Sequence, residues 1–249
     1  MIIYIIHQLT QSEVNIMIVV NCLGHSGFTV ESETHMLIFD YSEGNITRLP
    51  ENKKLYVFIS HAHSDHFDPR IFGICKDHPN VKFVVSDDIK RSDVISYGVE
   101  DYVVATPGMD IKLESKFRLK ALPSTDCGVA YLAGVNGRNI YHAGDLHLWL
   151  WEGMTEGEVY AMTTRFREYT KGLKMFNIDT AFLPLDTRQG IYSFLGFDYY
   201  MRNFKINHAI PMHFFGSSKI CEDLLYDPIS RDYRSKIIPL TRGGKANIR

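Results

Sequence analysis

Nothing in this chain spans a bilayer by its own hydropathy: no apolar run reaches the ~18 residues that a membrane helix needs. The N-terminal stretch MIIYIIHQLTQSEVNIMIVVNC is apolar in two short pieces split by QLTQSEVN. It lacks the basic start and small-residue cleavage site of a secretory signal, so a cytoplasmic protein is expected. Cysteine is scarce, with four residues at 22, 75, 127 and 221 and no CxxC pair, which argues for reduced thiols and against a disulfide scaffold. No GxGxxG follows a strand-like run and no GxxxxGK[ST] occurs, so neither a Rossmann nor a P-loop nucleotide site is encoded. Charge of one sign is missing as well: the formal balance is −2, and nucleic acid is not an expected partner. The exception is the tail RDYRSKIIPLTRGGKANIR, with six basic residues against one acidic; it reads as a solvated terminus, or as a contact for an anionic ligand or RNA. No repeat or linker marks a second domain, and 249 residues suffice for a sizeable core.

What is present is a series of short strands. MIVVNCL (17–23), GFTVES (27–32), HMLIFD (35–40) and KLYVFIS (54–60) are rich in β-branched and aromatic residues, the last continuously apolar like a strand covered on both faces. Residues 1–16 read as an N-terminal extension, a mis-set start or an extra edge strand, and 17–249 as one domain, with 221–249 a peripheral helix and basic tail. A helix is expected near Asp68-Pro69, and VKFVVS (81–86) follows as a strand. DYVVAT, MDIKLES, KFRLKALPS and GVAYLAG read as a meander, with RNIYHAG (138–144) returning once more. Val159, Met162, Phe166 and Tyr169 have helical spacing. DTAFLPL and HAIPMHF are strands around the helix GFDYYMRNF. Strands with interposed helices imply sheets covered by helices on their outer faces.

The densest chemistry lies in HAHSDHFD, where three histidines and two aspartates fill His61 to Asp68 directly after an apolar strand. His61 and His63, two apart on extended chain, point to one side. Asp65 and His66 follow where the chain turns and approach a second point nearby. Imidazole with carboxylate suits zinc, iron or manganese. Other candidates also sit at strand mouths: Asp145 ends IYHAGD, His213 ends AIPMHF, His25 opens HSGF and Asp40 ends IFD. Loops converge there while strands stay rigid.

HAHSDH resembles the HxHxDH signature of the metallo-β-lactamase fold superfamily, and the later AGD and His213 resemble its downstream metal motifs. GHSGF and PMHF are similar to the branch of ascorbate-phosphate lactonase-like hydrolases. The resemblance spans roughly residues 17–216 and implies an α/β fold, a four-layer αββα sandwich of two mixed sheets flanked by helices. It also implies two divalent metal ions, zinc first, with manganese or iron open. By this resemblance His61 and His63 hold the first ion; Asp65, His66 and His213 hold the second; Asp145 bridges them. Asp40 supports the histidine-rich loop from behind, and His25 lies near the metals. The implied activity is hydrolysis by metal-bound hydroxide, oriented by Asp65, of a small ester, lactone or phosphoester. The sequence names no substrate, and the oligomeric state is not legible.

One departure stands out. The superfamily's further histidine for the first ion is missing from ALPSTDCGVAYLAG, where Asp126 is the strong ligand type, with Cys127 beside it. Either Asp126 completes the first site, or it hydrogen-bonds a ligand histidine and leaves that site weak or empty. A degenerate protein that binds metal or a small anion without turnover is the other class of function, and a nuclease a third, although only the tail is basic. His147 reads as a pocket-lining proton shuttle or a surface histidine. Asp186 orients a ligand histidine and Arg188 receives an anionic substrate group, or the two form a structural ion pair. Trp149 and Trp151 wall the cleft or pack at its rim, and His142 faces away from Asp145.

Overall fold

The computed structural model describes residues 17–215 and 217–249; the expectation for residues 1–16 lies outside them. β-Branched and aromatic alternation produces two mixed sheets. The first contains β1 (Ile18–Gly24), β2 (Gly27–Glu31), β3 (His35–Phe39), β4 (Lys54–Ile59), β5 (Val81–Ser86) and β6 (Tyr102–Ala105). The second contains β7 (Asp110–Glu114), β8 (Phe117–Pro123), β9 (Val129–Val135), β10 (Arg138–His142), β11 (Asn177–Pro184) and β12 (Lys205–Met212). A last strand, β13 (Lys245–Ile248), joins the first sheet, giving the orders β13-β1-β2-β3-β4-β5-β6 and β12-β11-β10-β9-β8-β7.

The period of two along β4 shows how the layers form. Tyr56 and Phe58 point into the core between the sheets. Leu55, Val57 and Ile59 point the other way, against Ile71, Phe72 and Cys75 of α1 (Arg70–Cys75) and Val94 of α2 (Arg91–Ile95). Between the sheets Phe28 meets Phe182 at 4.4 Å and Phe58 meets Tyr131 at 5.2 Å. Burial of each such ring stabilises the fold by about 2–3 kcal/mol. Helices α3 (Glu156–Thr170) and α4 (Leu195–Asn203) pack against the second sheet through Phe166, Phe197 and Tyr200, all fully buried. Thr155 and Glu158 close a capping box at the start of α3. Among the described residues no helix is long and apolar enough to cross a membrane.

Two expectations are corrected. DYVVAT is not part of the meander: β6 pairs parallel with β5 at the edge of the first sheet, and the chain crosses to the second sheet before β7. The basic tail is not a loose end either. After α5 (Lys219–Tyr226), Ile237 bridges to Ala209 on β12, and β13 pairs antiparallel with β1. Its Arg242 is tied to Glu43. Apolar positions in IIPL and the final ANI supply edge contacts that a count of basic residues hides.

Candidate metal centre

The site is built from the ends of strands. β3 and β4 run parallel, so the residues just past them, Asp40 and Ser60, lie side by side. Asp40 is fully buried with φ of 43°, a conformation costly for a non-glycine residue. Its carboxylate accepts the Ser60 N–H at 2.7 Å, the Ser60 hydroxyl at 2.5 Å and His66 Nδ1–H at 2.7 Å. With its own proton committed to Asp40, the Ser60 hydroxyl accepts from His61 Nδ1 at 3.0 Å. One carboxylate therefore fixes the Nδ1 proton of two histidines, so that Nε2 is the lone pair of each ring whenever that ring is neutral.

The opposite wall repeats the device. β10, β11 and β12 are parallel neighbours, and their ends deliver Asp145, Asp186 and His213. His213, at φ 66°, donates Nδ1–H to the buried Asp186 at 3.1 Å. Its backbone N–H reaches the carbonyl of His25, from the β1–β2 turn, at 3.1 Å. Asp145 follows Gly144, whose φ of 50° and close approach to Ser60 leave no room for a Cβ. Trp149 Nε1 clamps the Asp145 carbonyl at 2.9 Å.

These frames aim their free atoms at one point. Asp145 Oδ1 lies 3.1 Å from His66 Nε2 and 3.3 Å from His213 Nε2, and Asp145 Oδ2 lies 3.4 Å from His61 Nε2. Asp65 Oδ2 lies 3.3 Å from His25 Nε2 and 3.7 Å from His213 Nε2. Among the described residues, the Nε2 atoms of His25, His61, His66 and His213, with Asp145 Oδ1, are buried without an aligned hydrogen bond. Such orphaned groups are costly, and a cation among them removes the cost. The donor atoms of His25, Asp65, His66 and His213 lie within 4.8 Å of one another, as do those of His61, His63 and Asp145, and of His63, Asp126 and Cys127. Imidazole and carboxylate at this spacing fit divalent metal.

Without a cation, the surroundings set the charge of each of these groups. Burial, helped by His66, pushes His61 down to about 4, so it is a neutral donor at physiological pH. Asp145 stays well below the usual carboxylate range: burial opposes this, but His66, His213 and His61 outweigh it. Contact with His25 holds Asp65 low despite its burial. Burial likewise opposes charge on His66, yet Asp145 and Asp40 hold it well above its ordinary value, so a cation binding there must displace its Nε2 proton.

The rim carries the remaining candidates. Asp126 is about half exposed, its Oδ2 3.8 Å from His63 Nδ1. Burial and the Asp145 charge push its carboxyl up. Burial and Asp126 raise the Cys127 thiol, which disfavours a thiolate ligand. A cleft of about 460 Å³ opens above Asp145 and Asp65, walled by Trp149 and Trp151, with Arg188 and Met162 at its edge. Another hollow of about 390 Å³ lies against Leu173 and Phe176, but none of the described histidines lines it.

Of the residues expected from sequence, His25, His61, His63, Asp65, His66, Asp145 and His213 are brought together. Asp40 and Asp186 stand behind them, and Asp126 and Arg188 stand at the rim. His147 is the correction. It is fully buried with Nε2 2.9 Å from Gln189 Oε1, and it does not line the cleft. The segment after Asp145 turns inward, so the side chain that follows by two is core. His142 stacks on Phe39 at 5.1 Å and binds the Ser26 carbonyl, as a side chain facing away should. Three contributors were not singled out from sequence: Ser60, Phe215 and Gln189. A serine closing the apolar run KLYVFI was the one visible signal.

Comparison with known proteins agrees with this architecture. The family described as beta-lactamase superfamily domain matches residues 19–153. A UPF0173 metal-dependent hydrolase of Korarchaeum cryptofilum is 28% identical over 210 residues, covering 80% of this chain and 83% of that protein. The UPF0173 metal-dependent hydrolase NEQ378 of Nanoarchaeum equitans is 26% identical over 172 residues, covering 66% of this chain and 68% of its own. The solved structure of Igni18, a metallo hydrolase of Ignicoccus hospitalis, superposes with a TM-score of 0.65 at 17% identity, covering 94% of this chain and 99% of that one, and shares the fold. With more than half its length matched by the family, this chain belongs to the beta-lactamase superfamily.

Proposed function

We propose that the chain is a metal-dependent hydrolase acting on a small ester, lactone or phosphoester. The observation that carries this reading is the set of buried, unpaired Nε2 atoms around Asp145 at the floor of an open cleft. The names of its relatives in Korarchaeum cryptofilum and Nanoarchaeum equitans point the same way. His25, Asp65, His66 and His213 would hold an inner ion, His61 and His63 an outer one, and Asp145 would be shared between them. Asp126 takes the place of the missing histidine beside His63. Zinc suits this donor set, and manganese and iron share its ligand chemistry. When bound, such ions supply water that loses its proton near neutral pH and a Lewis acid for substrate oxygen.

The protein's own groups do the rest. Asp65, partly exposed to the cleft and held ionised, accepts a hydrogen bond from water and turns its lone pair toward the substrate. Asp40 and Asp186 keep the histidines in the tautomer that leaves Nε2 free. Trp149 and Trp151 exclude bulk solvent from one side. Arg188 is the one lysine or arginine lining the cleft, so its wall offers no basic track for polyanionic nucleic acid.

The test is turnover by protein reconstituted with zinc or manganese on an aryl lactone, an aryl ester and bis(4-nitrophenyl) phosphate. Hydrolysis of at least one, abolished by chelation and restored by metal, is expected. Tight metal with no turnover of any of the three would return the chain to the binding-protein reading.

A further inference from the structure

The metal assignment uses the floor of the cleft and leaves its wall unexplained. Arg188 is fixed there with unusual completeness for a rim residue. Its Nε lies 3.0 and 3.1 Å from the two Asp186 oxygens, and its Nη2 lies 2.6 Å from Oδ2. Its own backbone N–H reaches Oδ1 at 2.8 Å. The guanidinium carbon sits 3.6 Å from the centre of the Phe215 ring. Asp186 is fully buried and also accepts from His213, so guanidinium and metal-binding imidazole bracket one carboxylate. Among the described residues Nη1 makes no hydrogen bond, and the side chain is about half exposed on the cleft.

An ion pair that served only to orient His213 needs no guanidinium edge turned into a cleft. Here one side of the fork is neutralised, the face is stacked, and the end edge stays open. That arrangement is pre-organised to take two oxygens of one anion by two parallel hydrogen bonds. Beside it Trp149 and Trp151 stack with ring centres 6.0 Å apart and planes nearly parallel, forming an apolar wall.

We propose that Arg188 seats a carboxylate or phosphate at the end of the substrate remote from the bond that is cut, with the substrate's apolar body lying along Trp149 and Trp151. This rests on the hydrolase reading and narrows it to small anionic esters and lactones.

The chain has only two tryptophans, and both form this wall, so intrinsic emission reports the cleft directly. Metal-loaded protein is titrated with benzoate, phenylphosphate and neutral benzamide. Saturable emission changes with an anion at concentrations where benzamide has little effect are expected. The tighter of benzoate and phenylphosphate identifies the group. In Arg188→Gln, checked for unchanged metal content, anion binding weakens by about 10–100-fold more than benzamide binding. An aryl hemiglutarate loses more kcat/KM than the neutral aryl butyrate, chiefly through KM. Equal responses to benzoate and benzamide in the native protein, or an anion response that survives Arg188→Gln, overturn the proposal. Anion binding that depends on Arg188 without turnover of any ester keeps the seat and removes the hydrolase reading. Turnover indifferent to substrate charge and to Arg188 does the reverse.

Discussion

Asp40→Asn tests the logic of the centre without emptying space. Asp40 accepts three buried hydrogen bonds, from the Ser60 amide, the Ser60 hydroxyl and His66 Nδ1. Asparagine keeps the shape and one carbonyl oxygen for the Ser60 amide, but it turns the other oxygen into a donor. That NH2 faces His66 Nδ1, which must then accept, so the imidazole proton moves to Nε2. The Ser60 hydroxyl, no longer needed by residue 40, can turn to His61 Nδ1 and move that proton to Nε2 as well. Both Nε2 atoms then point protons where lone pairs were, 3.1 and 3.4 Å from the Asp145 oxygens. Outer partners of this kind are worth about 10–100-fold in metal affinity, or about 1.4–2.8 kcal/mol. Asp40→Ala removes the carboxylate outright and strands buried donors, costing about 3–5 kcal/mol of stability. The assay is metal affinity by competition with a chelator, with long-range nitrogen–proton spectra for the tautomers and thermal unfolding for stability. A folded Asp40→Asn protein with native metal affinity would refute the tautomer argument.

Other outcomes follow from the same geometry. Asp145→Ala lowers activity at least ~100-fold and metal content with it, measured by turnover and elemental analysis; full activity with full metal would sink the shared-carboxylate assignment. Asp126→Asn weakens one metal equivalent and spares the other in a two-step titration, whereas loss of neither shows Asp126 to be a bystander. Gly128→Ala destabilises by about 2–4 kcal/mol in denaturant titration, because at φ 61° its Cβ would lie 2.0 Å from the Ser60 carbonyl; a cost near zero would mean the loop yields freely. In the metal-free protein the raised pKa of His66 makes its contribution to stability present below about 6.5. That contribution is lost as pH rises through the raised folded value. Metal needs the neutral ring, so metal affinity tightens as pH rises toward that raised folded value, with proton release visible by calorimetry in buffers of different ionisation enthalpy. Affinity flat from pH 6 to 8 contradicts this.

Much of the centre was legible because its ligands come in a short run or at the ends of plainly apolar strands. HAHSDH after KLYVFIS, Asp145 after RNIYH and His213 after HAIPM each announce a strand mouth. The crossing between sheets was not legible, because β6 and β7 have the same local pattern whichever sheet receives them; only the partner decides. β13 is four residues long and gains its place from β1, so no local signal marks it. His147 misled because adjacency to Asp145 says nothing about the inward turn that buries it behind Trp149, 4.8 Å away. Ser60 and Phe215 act through what they touch, a carboxylate from one strand and a guanidinium from another. Residue type alone cannot report such long-range contacts.

An anomalous difference map at the zinc, manganese and iron edges, from crystals grown with the ions the protein retains, addresses the centre itself. The account predicts density about 2.0–2.3 Å from the Nε2 atoms of His66 and His213 and, on the other side of the same Asp145 carboxylate, from that of His61. Crystals whose retained ions lie elsewhere, with Asp145 touching none of them, would contradict it.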